Sequence, residues 1–221
     1  MDPSAGVLEL LGVVLSGGAW LCSLATTLMP TWLTLSTDLL PAESYELGLW
    51  ETCVVQDTGS LECRPYDSLL GLSPDIRLAR ILMCTVLGAG LLGLLLAIPG
   101  LDLVNGCRGD HKRALKAAGG TLSVAAGVLG LVPVSYVAHL AVLRFFDDSV
   151  PDVLPRWEFG DALFCGWTAA VLHLVAGTLL LTSCLRRHDC DAPVHIRLAA
   201  VPPRRRAVGT RTRTRTRTEY V

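Results

Sequence analysis

The chain has 221 residues, 51% of them apolar and 18% charged, with a formal net charge of −1. Soluble domains average about 25% charged residues, and here the 19 Lys+Arg and 20 Asp+Glu are absent from four long stretches. That distribution excludes a soluble enzyme, a nucleic-acid binder and a secreted disulfide scaffold, so no nucleic acid is expected among its partners.

The charge-free windows are Leu10–Thr37, Ile81–Leu101, Ala117–Leu143 and Ala162–Leu185, of 28, 21, 27 and 24 residues. A helix needs about 20 apolar residues to cross a bilayer core. The predicted order is an N-terminus over 1–7, spans over 8–29, 81–101, 117–143 and 162–185, loops over 30–80, 102–116 and 144–161, and a tail over 186–221. The first window is longer than the roughly 7–15 apolar residues of a secretory signal, and no basic residue precedes it, so it reads as a retained span. Glu9, near the inner end of that span, is expected to face headgroups or other helices; a functional intramembrane carboxylate is the sharper alternative. Basic residues near span ends stay cytoplasmic. The loop over 102–116 and the tail hold 14 Lys+Arg, against 5 in the other two loops. Both termini are therefore predicted to be cytoplasmic, with loops 30–80 and 144–161 outside.

The first outward loop holds Cys53 and Cys63 on either side of two short strand signals, with turn residues from Asp57 to Ser60 between them. In an oxidising compartment the pair is expected to form a disulfide rather than two free thiols. Closing a ring of about 11 residues is worth roughly 3 kcal/mol in the chain-entropy account. Cys22, Cys84 and Cys165 fall inside spans and read as small core hydrophobes. Cys107, Cys184 and Cys190 lie close to inner span ends, where S-palmitoylation and an inert thiol are both open readings.

Span 3 carries Gly119, Ser123 and Gly127 at four-residue spacing, which lets helices approach closely. Pro133 removes one backbone hydrogen bond there and predicts a bend. His139 and His173 lie at membrane depth without a neighbouring carboxylate or cysteine. They are expected near an interface or bonded to backbone; the sharper alternative is a proton relay or metal pair. The chain has no nucleophile–base constellation, phosphate loop, metal-ligand spacing or Cys-x-x-Cys. No enzymatic activity, cofactor or metal is expected.

The tail is Arg-rich, with Thr-Arg four times over between Thr210 and Arg217, and is expected to be disordered. Its ten Arg suit anionic membrane lipids. Phosphate on the interleaved threonines would weaken such attachment. The chain ends Thr218-Glu219-Tyr220-Val221, a form that PDZ domains take as an added strand with a captured carboxylate.

The run Trp32, Gly48-Leu49-Trp50, Cys53 and Cys63, with Arg80 just before span 2, resembles the signature of the claudin family. The signature extends to a wider superfamily of peripheral-myelin and epithelial membrane proteins and channel-associated γ subunits. The second loop, Phe145-Phe146-Asp147 through Pro155-Arg156-Trp157-Glu158-Phe159-Gly160, and the terminal Tyr220-Val221 narrow it to claudins, closest to members whose second loop holds Pro-Arg-Trp-Glu-Phe-Gly. The resemblance covers about residues 1–190.

It implies a mainly α membrane protein: a left-handed four-transmembrane-helix bundle with a small extracellular antiparallel β-sheet. The first loop supplies most strands and the second adds one. Trp32, Gly48, Leu49 and Trp50 would pack between sheet and bilayer. Phe145, Phe146 and Glu158 would make lateral and trans contacts with other claudins. Tyr220 and Val221 would dock on PDZ scaffold proteins of the zonula occludens type. The implied function is a structural, adhesive component of tight-junction strands at the plasma membrane, acting as a paracellular barrier or charge-selective pore. The alternative is a regulatory tetraspan, an auxiliary subunit of a channel or receptor.

The outward loops sum to −8 and the inward segments to +7. An acidic outer surface favours cations, yet the residue after the second cysteine is Arg64, where cation-pore claudins tend to carry Asp. Arg64 is therefore expected to govern charge selectivity, toward a barrier or a weakly anion-favouring pore.

Overall fold

The computed structural model describes residues 3–36, 43–56, 60–68, 73–101, 109–146 and 157–199. Cys107, Arg156, Tyr220, Val221 and the Thr-Arg repeat lie outside them, as does the side chain of Cys190. Residues 1–186 form one compact unit and 187–221 a second.

Among the described residues, four helices are long and apolar enough to cross a membrane: α1 Pro3–Leu28, α2 Pro74–Gly100, α3 Gly109–Phe145 and α4 Asp161–Ala199. They carry exposed Val14, Leu21, Ile81, Leu92, Val128 and Val171 on their outer surfaces, the placement expected where the surrounding solvent is lipid. Each helix starts before its charge-free window, and α3 and α4 also run past the end of theirs. α2 starts at Pro74, with proline in its first turn, so Arg77 and Arg80 stand on helix. α3 starts at Gly109 and carries Lys112, Arg113 and Lys116. A charge-free window marks apolar length, whereas backbone hydrogen bonds continue wherever propagation is cheap. The same holds at the other end of the chain. The disorder expected from residue 186 does not hold up to Ala199, because α4 continues that far.

Five antiparallel strands among the described residues complete the first unit: β1 Leu33–Ser36, β2 Glu43–Leu47, β3 Glu51–Gln56, β4 Leu61–Pro65 and β5 Trp157–Phe159. Their order is β4-β3-β2-β1-β5, so the strand from the second loop pairs with the first strand of the first loop.

Small residues let the helices meet backbone to backbone, but the Gly119–Ser123–Gly127 stripe serves two neighbours. A side chain on Gly119 would lie 2.8 Å from the Gly93 carbonyl oxygen of α2, and one on Gly127 would lie 2.9 Å from the Ala170 carbonyl oxygen of α4. Ser123 donates its hydroxyl to the His173 carbonyl at 3.0 Å. A side chain on Gly177 of α4 would lie 2.7 Å from the Gly120 carbonyl oxygen, a second small pair on the same seam. α3 runs unbroken through Pro133.

Two polar groups are more deeply placed than their sequence suggests. His173 is fully buried rather than interfacial, with Gly90 of α2 and Trp20 of α1 packed around its ring. His139 is exposed. Of the two expected surroundings, Glu9 takes the helices rather than the headgroups: it is 2% exposed and ion-pairs with Lys116 of α3, itself 3% exposed. In low dielectric each charge is tolerable only while the other is present.

Glu9→Gln leaves Lys116 charged and unpaired, and is expected to destabilise the bundle by about 3–5 kcal/mol. The double variant Glu9→Gln/Lys116→Met, which removes both charges, is expected to regain most of that loss. Thermal unfolding followed by size-exclusion fluorescence checks both.

Candidate functional site

The site is the face where the sheet sits on the helix ends. It is organised by Pro30, Thr31 and Trp32, which leave α1. The Trp32 amide donates to the Leu47 carbonyl at 3.0 Å, and its own carbonyl accepts from Gly160 at 3.1 Å. The Thr31 carbonyl accepts from Ala162, the second residue of α4, at 3.1 Å. The Trp32 indole, 2% exposed, turns back and donates to the Thr26 carbonyl of α1 at 2.8 Å. Two glycines make this crossing possible. A side chain on Gly48 would lie 2.6 Å from Pro30 Cα, and one on Gly160 would lie 2.0 Å from the Thr31 carbonyl oxygen. Neither position has room for a Cβ.

Beneath the sheet Trp32, Leu33 and Leu49 join Ala79, Met83, Val134, Val137 and Leu163 in one apolar core. Trp50 stands apart from its signature neighbours at 41% exposure. Its ring lies 4.9 Å from the guanidinium carbon of Arg80, which also sits 5.2 Å from the Tyr66 ring. Arg80, 6% exposed, donates Nε–H to the Leu49 carbonyl. One of its terminal nitrogens has no partner among the described residues. The Tyr66 hydroxyl donates to the Gly48 carbonyl at 3.2 Å and receives the Thr52 hydroxyl at 3.0 Å. Tyr66 and Thr52 escaped the sequence reading. The available signal was an aromatic residue just past β4, close enough to cap a cation held by Trp50.

Cys53 and Cys63 face each other across β3 and β4 and are disulfide-bonded. The Glu51 carboxylate lies beside the two sulfurs. Disulfide sulfurs are not thiolates, so this group is not a metal site.

Strand register sorts the charges by face. Glu158, Thr34 and Glu46 stand side by side across β5, β1 and β2, in one row with Cys53 and Cys63. Arg64 stands opposite Thr52, one position out of that row, and alternation places it on the other face with Glu62. Arg64 and Glu158 are both exposed.

Where α3 meets β5 the surface opens into an apolar groove of about 420 Å³, lined by Ala141, Val142, Phe145, Phe146, Trp157, Glu158 and Phe159. It brings together the three residues expected to make contacts between molecules. Phe146 is 73% exposed at its rim and stacks edge-on with Phe145 at 5.2 Å. Of the cysteines considered for acylation, Cys184 is buried at 7% exposure.

A sequence model of the PMP-22/EMP/MP20/Claudin family matches residues 6–180. The chain is 36% identical to Claudin-3 of Canis lupus familiaris over 93% of its length and 94% of the relative's. It is 35% identical to Claudin-1 of Rattus norvegicus over 81% and 87% of the two chains. It is 37% identical to Claudin-19 of Homo sapiens over 80% and 81%. With two loops folded into one sheet on four apolar helices, and this match over most of its length, the chain belongs to the PMP-22/EMP/MP20/Claudin family.

Proposed function

We propose that this chain is an adhesive structural component of tight-junction strands, with the sheet outside the cell and both termini in the cytoplasm. The observation that carries the reading is the groove beside β5. It collects Phe145, Phe146 and Glu158 from two separate parts of the second loop region, next to a sheet edge. Aromatic anchors around a desolvated pocket are the usual energetic centre of a protein interface. An open strand edge offers backbone groups to a neighbour. The occupant is an apolar side chain from the sheet of another claudin, in the same membrane or the opposing one. The charge partition supports the orientation, since 14 of 19 basic residues fall on the inward segments.

Whether strands of this protein seal or conduct depends on the sheet face that lines the gap. The row of Glu158 and Glu46 attracts cations, and Arg64, which shares the other face with Glu62, repels them. At about 8 Å in water each unit charge is worth about 0.5 kcal/mol before screening, so close charges dominate distant ones. We assign selectivity to Arg64, giving a barrier or a weakly anion-favouring path. In the tail, Tyr220-Val221 supplies the PDZ ligand for zonula occludens scaffolds, and the arginines hold the segment to anionic lipids. Cys107, Cys184 and Cys190 are the candidates for acylation near the inner face.

Expressed in cells where no tight junctions exist, the protein is expected to concentrate at cell–cell contacts. Phe146→Ala is expected to weaken each contact by about 2 kcal/mol, roughly thirtyfold in affinity, and to thin or abolish strands in freeze-fracture; diffuse wild-type fluorescence overturns the adhesive reading. In epithelial monolayers, Arg64→Asp is expected to raise the Na⁺/Cl⁻ permeability ratio roughly two- to fourfold in dilution potentials, from a two-unit charge change near the path. Deleting Tyr220-Val221 is expected to abolish scaffold pulldown and leave contact enrichment intact; persistent pulldown removes the PDZ assignment.

A further inference from the structure

We propose that Cys22 and Cys165 are a redox-labile pair whose disulfide staples α1 to α4 directly beneath the sheet. The Cys165 thiol donates to the Cys22 carbonyl at 3.7 Å, which puts the two residues in direct contact. Both residues are partly exposed, unlike the buried Cys184. They come from opposite ends of the chain, 143 positions apart, so their meeting is a product of the tertiary fold.

Depth gives the pair access to chemistry. Cys22 lies six residues before the end of α1 and Cys165 four residues after the start of α4. At 1.5 Å per residue they sit about 9 and 6 Å inside the helix ends. The headgroup layer is about 5–8 Å thick on each side. Measured from those ends, Cys165 lies within that depth and Cys22 just past it, nearer to water than the bundle centre. The inference rests on the outward placement of the sheet, which puts these helix ends on the oxidising side.

The oxidant is a peroxide. A Cys165 thiolate attacks hydrogen peroxide, the O–O bond breaks, and the sulfur becomes a sulfenic acid as hydroxide leaves and takes up a proton to form water. The Cys22 thiolate then attacks that sulfur; the S–S bond forms, the S–O bond breaks and a second water leaves. Two thiols and one peroxide give one disulfide and two waters, and the two electrons lost by sulfur reduce the peroxide. A dithiol reverses the bond by exchange. The closed form ties the end of α1, which leads into β1, to the start of α4, which follows β5. Among the described residues those two strands pair at three positions, and β5 lines the groove.

The test uses full-length protein in nanodiscs, which expose both faces and need no cell contact, so its result is independent of the adhesive reading. The protein is exposed to hydrogen peroxide, its remaining thiols are alkylated after denaturation, and non-reduced peptides are read by mass spectrometry. The expected result is a peptide linking Cys22 to Cys165, lost on adding dithiothreitol, while Cys84 and Cys184 stay alkylated. Cys22→Ser is expected to leave Cys165 as a sulfenic acid that dimedone traps, with the Cys53–Cys63 disulfide reporting that the fold is intact. Full alkylation of Cys22 and Cys165 after peroxide in protein that keeps Cys53–Cys63 overturns the proposal. So does over-oxidation of either sulfur without a linked peptide.

Discussion

Everything at the sheet end of the molecule depends on how the chain leaves α1. Within three residues, Pro30 to Trp32, it must satisfy the end of one helix, start a strand, receive the neighbouring strand and anchor the start of the last helix. These bonds involve backbone groups that would otherwise be buried and unpaired, each at a cost of about 1–3 kcal/mol. The indole of Trp32 fills the space under the sheet and closes the loop by bonding back to α1. Gly48 and Gly160 are the negative of this arrangement, positions where the crossing segment leaves no volume for a side chain. Leu49, Trp50 and Arg80 then follow from the same geometry. The Gly48 turn sends Leu49 into the core and Trp50 outward, and Arg80 rises from α2 to bond the carbonyl between them.

Much of this was legible in the residues, for reasons that differ from element to element. The spans were visible because charge is expensive in lipid, so a helix that crosses the bilayer core must leave a charge-free window of about 20 residues in the chain. The Cys53–Cys63 hairpin was visible because its strand and turn signals are local. Helix limits were less visible, since Arg77, Lys112 and the residues after 185 are charged yet helical. Pairings between distant residues were hidden altogether. Glu9 and Lys116 are 107 positions apart, and Ser123 and His173 are 50 apart; nothing local marks them as partners. The spacing of Gly119, Ser123 and Gly127 signalled close packing but not that it would divide between two helices. Tyr66 was missed because its role arises only when β4 returns beside Trp50.

The sheet separates two electrostatic properties that a count of loop charges merges. A net of −8 on the outward loops describes the far field, which falls off within a Debye length. Near the surface the strand register puts Glu46 and Glu158 on one face and Arg64, beside Glu62, on the other. Because a strand reverses face at every residue, a shift of one position in register would exchange the two. The Cys53–Cys63 bond, by holding β3 and β4 in one alignment, fixes which charge is presented where.

The Glu9–Lys116 pair also bears on how the protein is made. A ribosome adds about 5–20 residues per second. With 107 positions between the partners, the carboxylate on the first span is complete roughly 5–20 seconds before its ammonium exists. During that interval α1 cannot settle at its final depth as an isolated charged helix. Glu9 must stay near water or remain with the insertion machinery until α3 arrives. The buried pair thus forms only once the third span exists, so the inner end of the first span completes its packing late in synthesis.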